Sequence, residues 1–303
     1  MQPGFFYELA GSFAALGSAA AWALSSILFR RAGDKIPALS MNFAKCLIGI
    51  FLLGAMLLIT GIEQVSGRAF FILGISGLLG ITFGDTLFFK ALICLGPRLA
   101  LLVGATAGPV VTVILAMILL GERLSMPGMF GVFFTLLGVG FVLGEQFSLE
   151  KSLEKTEKKL IPGIKYISLS ILCTAFGIIL AKVGVASVSP LQATFFRFLW
   201  AFIGLALWGS INGRIKKWLL PFKNDFPLLK LIFSAVCVAI FGGFWLFIIS
   251  LKYIDASVAT ILNSTTPLFI VPMAAIMLKE KITLPAVGGT VVAVAGLILV
   301  FAT

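Results

Sequence analysis

The chain reads as an all-α integral membrane protein, with ten transmembrane helices arranged as two inverted five-helix repeats. Three observations predict this. The 303 residues are 60% hydrophobic, with a mean hydropathy of +1.14. Only 12% are charged, against about 25% in a soluble domain. The charges are also segregated: 23 uncharged residues separate Arg98 from Glu122, and another 23 separate Asp255 from Lys279. Each run exceeds the roughly 20 residues that carry a helix across a bilayer. Finally, the chain is duplicated. Residues 83–145 lie over 241–303 without a gap at a shift of 158, which sets Pro109 on Pro267, Glu122 on Glu280, Gly131 on Gly289 and Gly138 on Gly296. A shift of 152 sets Arg30 on Lys182, Phe43 on Phe195, Lys45 on Arg197 and Gly61 on Gly213, so the second copy holds six extra residues.

Apolar runs bounded by charges, Gly and Pro place the helices in order. The first copy gives 10–30, closed by Arg30 and Arg31; 38–60, between Pro37 and Gly61; 69–95, between Arg68 and Gly96-Pro97; 98–120, ended by Gly121-Glu122; and 126–145. Runs of this length without alternation are helices, because an open strand cannot satisfy its backbone in lipid. A polar, mixed-charge linker at 146–160 follows, with SLEKSLEKTEKK at its core. The second copy gives 161–182, 190–211, 228–252, 256–278 and 283–302. Its insertion around 214–230 carries Lys216, Lys217, Trp218, Phe222 and Lys223, the composition of an interfacial anchor.

Five helices per copy force the second copy to enter the membrane from the opposite side. The charges agree. Odd-numbered loops hold sixteen Lys and Arg, the even ones hold Arg68, Arg123, Lys182 and Lys252, and the termini hold none. The positive-inside rule then makes the odd loops cytoplasmic and puts both termini outside. The net charge of +11 is thus a topology signal, and nucleic acid is not an expected partner. There is no histidine, which removes imidazole metal sites and histidine bases. Cys46, Cys94, Cys173 and Cys237 lie inside apolar runs without CxxC spacing and read as buried free thiols. The first 29 residues lack a basic n-region, which argues against a cleaved signal peptide. No cofactor is expected.

Each copy has a late-helix proline, an apolar run ending in a Glu-basic pair, and a final helix containing glycine. The residues are Pro109, Leu120-Gly121-Glu122-Arg123-Leu124, Gly131 and Gly138, then Pro267, Leu278-Lys279-Glu280-Lys281-Ile282, Gly289 and Gly296. The pattern resembles the EamA-type repeat of the drug/metabolite transporter superfamily, over residues 12–145 and 161–303. The resemblance implies a ten-helix inverted-repeat carrier of metabolites such as amino acids, in a bacterial cytoplasmic membrane. The second copy departs at Lys279, which stands where the first has Gly121. Familiar members resemble a termini-inside arrangement, opposite to the charge count here.

Polar residues inside the spans carry the chemistry, since a charge at a helix centre in lipid costs about 2.5–3.5 kcal/mol on insertion scales. Lys45 and Arg197 are repeat mates, with Asn42 and Thr194 one helical turn earlier on the same faces. They read either as a cationic pair holding a carboxylate or phosphate, or as snorkelling side chains. Asp85 is the lone intramembrane acid, and Gly243 is its repeat mate. It is a candidate proton-coupling group, or else a salt-bridge partner of Lys45, Arg197 or Lys90. Thr106 lies before Pro109, and Asn263 and Thr265 before Pro267. There proline frees carbonyls that a hydroxyl, water or substrate must satisfy. Trp22 and Trp245 are candidate cavity aromatics. The expected function is a secondary transporter working by alternating access, a monomer or homodimer in the bilayer that takes a small molecule, with protons as a candidate coupling ion. A channel or lipid-scrambling module is the alternative. An intramembrane enzyme would need a dyad that has no recognisable spacing here.

Overall fold

Lipid offers no hydrogen bonds, so the apolar runs close their backbones on themselves. The computed structural model describes residues 3–33, 36–150, 160–223, 225–278 and 284–301. Among these residues there are helices and no strand. The first copy comprises α1 (Pro3–Gly33), α2 (Ala38–Thr60), α3 (Gly67–Gly77), a π-helical segment (Leu78–Gly84), α4 (Asp85–Leu119) and α5 (Met126–Glu150). The second comprises α6 (Leu160–Val185), α7 (Pro190–Ile211), the short α8 (Ile215–Leu219) with a 3₁₀ turn (Leu220–Phe222), α9 (Phe226–Cys237), a second π-helical segment (Val238–Trp245), α10 (Leu246–Tyr253), α11 (Ala256–Asn263), α12 (Thr266–Leu278) and α13 (Leu284–Phe301). Six stretches among the described residues are long and apolar enough to span: Phe6–Phe29, Leu39–Thr60, Gly67–Phe88, Ile161–Val185, Pro190–Ile211 and Phe226–Tyr253.

Helix ends follow local chemistry. Ser66 and Ser189 begin α3 and α7 by accepting from Ala69 N (3.2 Å) and Gln192 N (3.4 Å), as N-caps do. The repeat mates Gly61 and Gly213 close α2 and α7 at φ of 89° and 62°, a backbone that favours glycine.

Four boundaries differ from expectation. The break expected at Gly96-Pro97 is absent, and α4 runs through it. A proline removes one donor, and a membrane helix can re-satisfy the freed carbonyl locally. At the repeat-related position the chain does break, with Ile254 extended at φ −127°, ψ 164°. The ninth run splits at Ser264 and Thr265, just before Pro267, where three successive hydroxyls fold back. Ser264, Thr265 and Thr266 donate to the carbonyls of Ile261, Leu262 and Asn263 at 2.7, 2.6 and 2.8 Å. α5 continues to Glu150, past the expected start of the linker. Finally, Trp218 is no interfacial anchor. It is buried beside Phe43, with ring centroids 5.6 Å apart, and beside Gly209, which has no room for a side chain. Its neighbours Lys216, Lys217 and Lys223 stay exposed.

The two copies are interwoven. α1 packs on α9, the second π segment and α10–α12, all of the other copy, while α6 packs on α3, the first π segment and α4. α2 lies on α7, and α5 on α13. The last pair explains the repeated glycines. A β-carbon at Gly138 would fall 2.5 Å from Gly289 O and closer still to Ala293 N. One at Gly296 would fall 2.7 Å from Gly131 O and closer still to Thr135 N. The partners are themselves repeat mates, so a pseudo-twofold axis passes through this backbone crossing. Small residues at such crossings let helices meet where no hydrophobic drive exists.

Candidate functional site

Both π segments flank the middle of the bundle, where extra turns leave carbonyls without their usual donor. Side chains in and around these segments exchange hydrogen bonds with neighbouring helices in both directions. Asn42 Nδ2 reaches Ile81 O at 3.4 Å, Thr82 Oγ1 donates to Ala201 O at 3.0 Å, and Ser76 Oγ to Gly177 O at 2.5 Å. Ser170 Oγ donates to Gly84 O and Ser18 Oγ to Gly243 O, both at 2.8 Å. Ser18 and Ser170 are repeat mates, and each ties its own copy to the other copy's π region. Sequence reasoning missed them. Their pairing at the 152 shift, as hydroxyls inside apolar helices, was the available signal.

Asp85 opens α4 directly after the first π segment and accepts a hydrogen bond from Lys45 Nζ at 2.7 Å. The Lys45 ammonium also stands 5.1 Å from the Phe244 ring centroid, which belongs to the second copy. A cation over an aromatic face gains electrostatically. Neither Lys45 nor Arg197 snorkels: they are 6% and 5% exposed. Arg197 comes from α7, within the electrostatic reach of Asp85. The carboxylate's hydrogen bond goes to Lys45, however, and Arg197 Nε is buried with no partner among the described residues. The guanidinium lies beside Gly80: a β-carbon there would be 3.4 Å from Arg197 Nη2. Backbone crowding fixes this register, because a β-carbon on Gly77 would strike the Arg197 carbonyl. Lys90 is engaged elsewhere, 5.6 Å from the Tyr166 ring and 5.7 Å from that of Trp208.

The asymmetry between Asp85 and Gly243 has a steric cause. Trp22 fills the place of a side chain there: a β-carbon on Gly243 would lie 3.0 Å from Trp22 Cε2. The indole packs edge-on against Phe244, centroids 4.7 Å apart. Asn263 joins this region through Ser18, whose Oγ is 3.0 Å from its side-chain amide. Thr265 and Thr194 donate to their own helices, Thr194 to Pro190 O at 2.7 Å. Trp245 lies apart from the charges, in a vestibule of about 330 Å³ also lined by Thr60, Glu63, Ser189, Ile249 and Tyr253. The Thr106 side chain lies outside the described residues, as does Glu280.

A second polar cluster lies on the face of the even loops. Glu122 reaches across to the start of α11, accepting from Ala256 N at 2.7 Å, Ser257 N at 2.9 Å and Ser257 Oγ at 2.6 Å. A carboxylate on these N-terminal donors is charge-assisted. Lys182 Nζ donates to the Ile254 carbonyl at 2.5 Å. Burial pushes the Asp255 carboxyl above its ordinary range, helped by Glu122 and Glu8 and opposed by Lys182. The broken helix end therefore has partners from both copies.

Comparison with known proteins agrees with this architecture. A profile of the EamA-like transporter family matches twice, over residues 9–144 and 161–302. The uncharacterized inner membrane transporter YhbE of Escherichia coli strain K12 is 33% identical over 117 residues, as is that of Shigella flexneri. Each match spans 38% of this chain and only 35% of the relative. A crystal structure of a protein 18% identical superposes with a TM-score of 0.73 over 97% of both chains, which speaks to the fold alone. With the family profile covering nearly all of both copies, the chain belongs to the EamA-like transporter family.

Proposed function

We propose that the protein is a secondary transporter that moves a small metabolite, an amino acid or related compound, across a bacterial inner membrane by alternating access. In this reading the chain forms two inverted units, residues 12–145 and 161–303, joined by a polar linker that begins after α5 ends at Glu150, with both termini outside. The observation that carries it is the charge cluster at the junction of the two copies, where the buried Lys45 and Arg197 meet the half-buried Asp85. Intramembrane charges are costly and mark substrate or ion paths, and inverted repeats rock around such a midplane site. The Lys45–Asp85 ion pair favours a structural role for the carboxylate over constant exchange of a proton. Protonation of Asp85 would release Lys45, which keeps a coupled proton compatible with the site.

The test is reconstitution into proteoliposomes and a screen of metabolite uptake, alongside electrical recording. The carrier reading expects saturable flux of at least one metabolite and no unitary conductance. Discrete conductance steps would make it a channel, and lipid flipping without metabolite flux would make it a scrambling module.

A further inference from the structure

Three fixed charges meet at the centre, and only two of them are matched. The Lys45 ammonium and the Asp85 carboxylate are joined at 2.7 Å and cancel. Arg197 is 5% exposed, has Nε without a hydrogen-bond partner among the described residues, and packs its guanidinium beside Gly80. Protein interiors do not leave a buried cation unmatched without reason, because uncompensated burial is expensive. The remaining charge of the cluster is +1. Aromatic rings stand beside the cluster: Phe244 lies 5.1 Å from the Lys45 ammonium and packs edge-on against Phe198 with centroids 4.8 Å apart.

We propose that the transported substrate carries one carboxylate, which binds Arg197, on an apolar or aromatic body. This rests on the carrier reading above and narrows its substrate class to acids related to amino acids that lack the ammonium group. A monoanion completes the neutrality of the cluster, and Arg presents a planar fork that suits a carboxylate. A dianion would leave a buried negative charge, and an amine would add a second unmatched cation. The Lys45–Asp85 pair then acts as a neutral wall that excludes a second acidic group.

The experiment uses purified full-length protein and four probes that share one ring: benzoate, phthalate, benzyl alcohol and benzylamine. Thermal unfolding is followed against probe concentration. Benzoate is expected to raise the midpoint saturably, and the other three much less. Arg197→Gln is expected to weaken benzoate binding about 10- to 100-fold, as loss of a charge-assisted bond does. It should also raise the midpoint of the ligand-free protein, since an unmatched buried charge has gone. Arg197→Lys keeps the charge and should retain weaker benzoate binding, which guards against a misfolded Gln variant. The proposal is overturned if benzyl alcohol shifts the midpoint as much as benzoate. It is overturned equally if Arg197→Gln keeps the benzoate response or lowers the ligand-free midpoint. Flux measurements separate the two readings. A neutral or cationic metabolite that moves while benzoate fails to bind sinks this inference and spares the carrier, whereas no flux of any metabolite sinks the carrier itself.

Discussion

Gly138→Ala tests the backbone crossing between the two copies. A new β-carbon would lie 2.5 Å from Gly289 O, whereas ordinary contact begins at 3.4 Å, so α5 and α13 must part by at least about 0.9 Å, and further to clear the still closer Ala293 N. The atoms in the way are backbone and cannot rotate aside. Gly296→Ala demands a similar parting of at least about 0.7 Å, from 2.7 Å against Gly131 O, and further to clear the still closer Thr135 N. Overpacking of this kind costs about 1–3 kcal/mol. In lipid the loss is mostly of dispersion contacts along both helices. At about 2–4 °C per kcal/mol, each single variant should unfold about 2–12 °C lower in a detergent thermal melt. Both substitutions push on the same pair of helices, so once one has parted them the other costs less. The double variant should therefore fall by clearly less than the sum of the singles. An unchanged midpoint for Gly138→Ala, or full additivity of the pair, would refute the shared-crossing argument.

Three further outcomes follow from the charges. Asp85→Asn should destabilise more than Lys45→Met, because the first leaves Lys45 and Arg197 both unmatched while the second leaves Asp85 with Arg197 in reach; the double variant should recover much of the loss in the same melt. Glu122→Gln keeps one acceptor oxygen for three donors, so amide exchange at Ala256 and Ser257 should speed up about 10- to 100-fold; unchanged exchange would mean that the carboxylate does not hold α11. The raised Asp255 carboxyl binds its proton more readily in the folded chain than in the unfolded one, so its contribution to stability is present at low pH and lost as pH rises through its folded value. The wild-type melt should decline across that window above the ordinary carboxylate range, and Asp255→Asn should flatten the decline.

Much of this was legible in the sequence because it depends on spacing. The 158 shift that aligned Gly138 with Gly296 already contained the symmetric crossing, and the 152 shift placed Lys45 and Arg197 as mates. A lone acid among cations in lipid has few partners open to it, so the Lys45–Asp85 pair was among the readings available. Other features depend on tertiary contact and could not be read. Nothing local to Gly243 says that Trp22 occupies its side-chain space. Trp218 has the composition of an anchor, yet the neighbouring Gly209 opens a slot that takes it inward. Pro97 looked like a boundary because proline usually is one, but the helix continues through it. The chain breaks instead at the repeat-related Ile254, where Lys182 and Glu122 satisfy the ends. Ser18 and Ser170 were overlooked because hydroxyls in membrane helices commonly bond within their own helix, as Thr194 and Thr265 do here.

The central claim is alternating access around one site, and trans-stimulation in proteoliposomes addresses it most directly. Once a transported metabolite is known, vesicles loaded with unlabelled compound are compared with empty ones for uptake of the labelled form. The account predicts faster, saturable initial uptake into loaded vesicles, because the site returns occupied. Uptake that is linear in concentration and indifferent to the internal load would contradict it.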